Sequence, residues 1–148
     1  MSATTLILPS LLLDQVLAHC REAYPREAVG LLGGVGTSNV TTVFPLENIA
    51  EGNRAFIADP YSQYCALRRL RAECMHLLGI YHSHPDGGVE PSQQDIAHAR
   101  RWVCAHVIVA LAGSLEPAPR LRAFRCDGDG QLSSVTITVS SSASAMAQ

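Results

Sequence analysis

The apolar positions of this chain alternate between the two spacings that separate strand from helix. Residues 4–8 form a short apolar run ended by Pro9, which predicts a strand. Leu13, Val16, Leu17, Cys20 and Tyr24 recur at helical spacing behind Ser10, a good N-cap, so residues 11–23 read as an amphipathic helix closed by Pro25. Residues 29–35 (Val-Gly-Leu-Leu-Gly-Gly-Val) predict a buried strand whose glycines permit close backbone approach. A turn over 36–39 joins it to a β-branched strand over 40–47, giving a hairpin. Residues 55–58 predict a further short strand. Asp59-Pro60 then starts a second helix, as N-cap followed by proline at the first helical position. Its inner face should carry Tyr64, Leu67, Leu70 and Cys74, and it should run to about Glu73.

Residues 77–82 are a continuous apolar strand, and a third helix is expected to begin at Ser92 and continue past Arg100. Three more strands follow at 106–112, 121–126 and 134–139, with turn signals at 117–119 and 127–130. Strands and helices thus alternate, with hairpins at both ends. This predicts an α/β (α+β-like) domain with a mixed sheet flanked by helices. One domain over 1–139 is expected, followed by a small, polar tail over 140–148 that reads as disordered.

Composition narrows the function classes. The formal net charge is −2 and no basic cluster exceeds two residues, so there is no footprint for nucleic acid or an anionic membrane. No apolar run approaches the length needed to span a bilayer, and the leucine-rich N-terminus lacks a basic lead-in. Five cysteines, odd in number and nowhere in a CxxC, argue against a zinc ribbon, a thioredoxin-like motif or a disulfide framework; reduced, mostly buried cysteines in a cytoplasmic protein are expected.

The chemistry gathers in residues 81–95. His82 and His84 sit two apart at the end of the apolar strand, so both imidazoles face the same way, as do Leu78 and Ile80. A loop with Gly87-Gly88 follows, a candidate lid, and Ser92 with Asp95 forms the first turn of the next helix. Two histidines and a carboxylate converging on one point suit a divalent metal with a free coordination position. Each half also has a plain reading. His-x-His alone is more often two unrelated histidines, and Ser92 with Asp95 resembles a helix capping box.

Taken together, His82-Ser83-His84, seven residues, Ser92, two residues and Asp95 reproduce the pattern His-[Ser/Thr]-His-x7-Ser-x2-Asp. The chain therefore resembles the JAMM (MPN-plus) metalloproteases, in particular their small single-domain prokaryotic members, with a fold akin to that of the cytidine deaminases. Upstream, Pro25-Arg26-Glu27-Ala28-Val29-Gly30-Leu31-Leu32 looks like the glutamate-bearing run of that family. The resemblance, which extends in element order over about residues 4–139, implies a hydrolase with one zinc per chain held by His82, His84 and Asp95. It implies Glu27 as the general base and Ser92 as a hydrogen-bond donor to the oxyanion, with Ser83 only structural. The implied substrate is the C-terminal tail of a ubiquitin-like protein of the ThiS/MoaD sulfur-carrier kind.

His98, one turn beyond Asp95, is a candidate partner for it, although a helix-surface histidine is the commoner outcome. Three rival readings bear on the same residues. A nucleoside deaminase needs a His-x-Glu and a Pro-Cys-x-x-Cys, which are absent. A two-His-one-carboxylate iron oxygenase would be an all-β barrel without use for Glu27. The remaining rival is a non-catalytic MPN-like module that binds a ubiquitin-fold partner.

Overall fold

The computed structural model describes residues 4–111 and 120–141. In chain order the elements are β1 (Thr5–Pro9), α1 (Ser10–Ala23), β2 (Val29–Val35), β3 (Asn39–Leu46), α2 (Pro60–Ala72), β4 (His76–His84), α3 (Gln93–Ala99), β5 (Ala105–Ala110), β6 (Arg120–Cys126) and β7 (Leu132–Ser140). The expected mixed sheet with flanking helices is present. It also closes on itself, in the order β1-β3-β2-β4-β5-β6-β7, because β1 runs parallel to β7 along its length and meets β3 at Ile7.

Two faces of the sheet are buried differently. Val16 and Cys20 of α1 pack with Leu6, Leu8, Leu32, Tyr81, Val107 and Val109. On the other face Ala66 and Leu70 of α2 pack with Val29, Leu31, Phe44 and Ile80, and Ala99 of α3 packs with Ile108 and Phe124. Strand alternation assigns these residues to their faces, with one exception. Leu78 was expected beside Ile80, His82 and His84. Pairing between β2 and β4 jumps from Leu32–Gly79 to Gly33–Leu77, so Leu78 is an extra, unpaired residue, and it joins the α1 side instead.

The β2 glycines are where backbones and rings come close. A Cβ at Gly30 would lie 2.3 Å from the Tyr81 ring, whose hydroxyl shares a 2.7 Å hydrogen bond with His19 Nδ1.

Several boundaries differ from the sequence expectation. Residues 55–58 form no strand; their part is a single bridge between Asn48 and Ala58, because the Ile57 N–H is taken by the Asn48 side chain. α2 starts as expected, with Asp59 accepting from the Ser62 N–H. Its buried residues, however, are Ala66 and Leu70, while Tyr64 and Cys74 are exposed. Cys74 lies past the helix end at φ 56°, where the chain turns into β4. α3 ends at Ala99, short of Arg100, since β5 must begin at Ala105 to lie beside Gly79. The cysteines are less buried than expected: Cys20 and Cys104 are buried, Cys126 is half-buried, and Cys65 and Cys74 are exposed. The turn expected at 127–130 is present, whereas the one at 117–119 and the tail beyond 141 lie outside the described residues. Ser140, assigned to the tail, is the last residue of β7.

Candidate metal centre and active site

Register between β2 and β4 sets the site. Val29 pairs with His82, so in this antiparallel ladder Ala28 falls opposite Ser83 and Glu27 opposite His84. The ladder continues to that point: the Ser83 N–H donates to the Ala28 carbonyl at 3.0 Å, and the Ala28 N–H donates to Ser83 Oγ at 2.8 Å. Ser83 is fully buried and turned away from the histidines, as strand alternation requires. Glu27, on the other face, is delivered to them. Glu27, His82 and His84 offer ligand atoms that lie within 4.8 Å of one another.

Asp95 arrives from the far side. Its N–H donates to Ser92 Oγ at 3.0 Å, and its Oδ2 accepts from the Ser92 N–H at 2.9 Å, a complete capping box that fixes both side chains at the start of α3. The same carboxylate meets the histidines: Oδ1 is 3.2 Å from His82 Nε2 and Oδ2 is 3.0 Å from His84 Nε2. The two Nε2 atoms are themselves 3.2 Å apart. The capping and ligand readings of Asp95 are therefore compatible.

These distances allow a test of fit for a metal. Donors about 2.0–2.1 Å from a tetrahedral zinc lie roughly 3.3 Å from one another. The Nε2 atoms of His82 and His84 are 3.2 Å apart and each lies 3.0–3.2 Å from one of the two Asp95 carboxylate oxygens, and two imidazoles with one carboxylate are a donor set suited to zinc. The Glu27 carboxylate also lies within reach of the two imidazoles. His84 Nδ1 lies 2.7 Å from the Gly88 carbonyl; donating there fixes the tautomer that leaves Nε2 free to ligate.

The electrostatics follow from burial and these contacts. Burial lowers the pKa of His82 despite its contact with Asp95, keeping the ring neutral. The hydrogen bond to Asp95 raises that of His84. Burial would raise the Asp95 carboxyl, but hydrogen bonds from both histidines outweigh it and hold the group well below the usual carboxylate range. Burial pushes Glu27 up to about 7, His84 opposing and Asp95 adding to the shift. A carboxylate with a pKa near neutrality is suited to exchanging protons.

Glu27 and His84 open onto a cleft of about 410 Å³ with Asn53, Arg54, Pro85, Asp86 and Gly87. The loop over 85–91, read as a candidate lid, is tied at both ends. Asp86 accepts from Tyr24 Oη at 3.0 Å, and Glu90 pairs with Arg122 at 2.9 Å.

Three contributors were not singled out from sequence. Phe56 stacks on His82 with centroids 4.6 Å apart and planes at 29°. The Gly88 carbonyl orients His84. Asn48 holds the backbone of Glu27. The only local signals were an asparagine just after an apolar strand and a glycine pair in the loop. His98 is half-buried and lies edge-on to Phe56 and to His106, with ring centroids at 5.0 and 5.6 Å; no hydrogen bond joins it to Asp95.

Comparison with known proteins gives the family. The family model for prokaryotic homologs of the JAB domain matches residues 9–127. The chain is 40% identical over 109 residues to a probable TtuB-protein conjugate cleaving protease of Thermus thermophilus, covering 73% of this chain and 72% of that one. The solution structure of protein DSY2949 from Desulfitobacterium hafniense superposes with a TM-score of 0.81 at 33% identity, covering 93% of this chain and 94% of that one. A structure described as a JAMM metalloprotease-like zinc site in the proteasome and signalosome shares the fold at a TM-score of 0.55 and 18% identity, over 91% of this chain and 99% of that one. The chain belongs to the prokaryotic JAB-domain family, the JAMM (MPN-plus) proteins whose motif it carries.

Proposed function

We propose that this protein is a zinc-dependent peptidase that cuts the peptide or isopeptide bond after the C-terminal glycines of a ubiquitin-like protein, a ThiS/MoaD-like sulfur carrier being the expected substrate. The observation that carries the proposal is the meeting of His82, His84 and Asp95 at 3.0–3.2 Å beside a buried carboxylate, Glu27, on the wall of an open cleft. The Thermus relative, named for cleaving TtuB–protein conjugates, supports the substrate class.

His82, His84 and Asp95 would hold one zinc. Bound there, the ion supplies Lewis acidity and brings the pKa of water towards about 7. Glu27 takes the proton of the attacking water and passes it to the leaving amine; its raised pKa suits both transfers. Ser92 Oγ accepts from the Asp95 N–H, which leaves its own proton to donate to the oxyanion of the tetrahedral intermediate. The capping box thus orients the hydroxyl as well as the carboxylate. No acyl-enzyme forms, because water is the nucleophile. No helix among the described residues is long and apolar enough to cross a membrane, and we place the activity in the cytoplasm.

A non-catalytic module binding a ubiquitin-fold partner is the alternative. Incubation with a ubiquitin-fold carrier bearing a C-terminal extension, with zinc present, separates the two. Release of the extension is expected; a stable complex with the extension intact would favour the binding module.

A further inference from the structure

Asn48 lies between β3 and α2, and its side chain uses four hydrogen bonds on one segment and its neighbour. Nδ2 donates to the Glu27 carbonyl at 2.8 Å and to the Ala55 carbonyl at 3.1 Å. Oδ1 accepts from the Ala50 N–H at 2.9 Å and from the Ile57 N–H at 3.0 Å. A buried amide with both donors and both acceptor sites in use is held in one orientation. Aspartate would lose both donors, and glutamine would carry the amide one methylene too far.

The groups at the ends of these bonds belong to the two halves of the site. Glu27 is the cleft carboxylate that lies beside the histidines. Ala55 and Ile57 flank Phe56, whose ring covers His82. The loop has a second tie, from the Arg26 guanidinium to the Ala50 carbonyl, again from a residue next to Glu27. His98 meets the Phe56 ring edge-on from α3, so the ring is held between the loop and the helix that carries Asp95.

We propose that Asn48 is a positioning residue for both halves at once: it fixes the backbone of Glu27 and, through the 48–57 loop, presses Phe56 against His82. The catalytic half of this proposal rests on the function proposed above; the metal-binding half does not.

The test uses the full chain, stripped of metal, titrated with Co2+ and then with Zn2+ in competition, and assayed for cleavage after zinc loading. Asn48→Ala is expected to bind metal about 10–100-fold more weakly and to lower kcat by a similar factor at nearly unchanged KM. Phe56→Ala should reproduce the loss of metal affinity with a smaller loss of kcat in the zinc-loaded protein, because Glu27 stays held. Phe56→Leu should restore most of the affinity. A folded Asn48→Ala with wild-type affinity and kcat would overturn the proposal. Should that variant fail to fold, wild-type affinity in Phe56→Ala would overturn it equally. If wild type cleaves nothing while both affinities fall, the proposed function fails and the positioning of His82 stands.

Discussion

Ala28 and Ser83 extend the β2–β4 ladder beyond its last regular pair, with the serine hydroxyl taking the place of a backbone acceptor. The bond is buried and lies directly behind the site, since Glu27 precedes Ala28 and His84 follows Ser83. A slip of one residue here would turn Glu27 to the opposite face of the sheet.

Ser83→Ala leaves the Ala28 N–H without its partner in a dry environment, at a cost of about 1–3 kcal/mol. The expected result is a drop in Tm of roughly 3–10 °C in scanning calorimetry, with activity reduced through Glu27. An unchanged Tm would show that the hydroxyl does not hold the two strands together.

Gly30 and Tyr81 are coupled by space rather than by polarity. Gly30→Ala would drive a methyl into a ring that cannot retreat, being fully buried and tied to His19. Destabilisation of about 1–3 kcal/mol is expected. The double variant Gly30→Ala with Tyr81→Leu should be less destabilised than the sum of the two single changes. Strict additivity in denaturant melts would contradict the contact.

His106 gives a pH dependence of stability away from the metal. It packs between Phe124 and His98, its Nε2 bonds the Trp102 carbonyl, and His82 and Arg125 lie near enough to oppose a positive charge. Burial, above all, lowers its pKa from 6.5 to about 4. The folded state therefore binds fewer protons than the unfolded state between these values. The stability of neutral, buried His106 is fully present above pH 6.5 and is lost as pH falls towards 4. The loss is at most about 3–4 kcal/mol at about 1.4 kcal/mol per unit. Urea melts of His106→Gln should show a flatter acid limb than wild type. An identical limb would place the acid sensitivity elsewhere.

What could be read from sequence was local or tied to a fixed spacing. His82 and His84 share a face because strands alternate, and Asp95 lies three residues past its cap because helix starts demand it. Glu27 is identified only by resemblance, because a lone carboxylate before an apolar strand carries no signal of its own, and pairing across the sheet is what brings it to the histidines. Phe56 and Asn48 act through contacts made only once the 48–57 loop has closed. The missing strand at 55–58 has the same origin, because the Asn48 side chain claims the Ile57 N–H that a ladder would have used. Leu78 was misplaced because period-two reading cannot foresee a bulge. Closure of the sheet was also hidden, since it depends on where β1 and β7 meet.

In the proposed mechanism Glu27 moves protons at a metal held by three other residues. Glu27→Gln keeps the shape and removes the base, so metal content and cleavage of a ubiquitin-fold carrier with a C-terminal extension should be measured side by side for the two proteins. One zinc per chain is expected in both, with the variant slower in cleavage by at least about 100-fold. Equal turnover by the two proteins would contradict it.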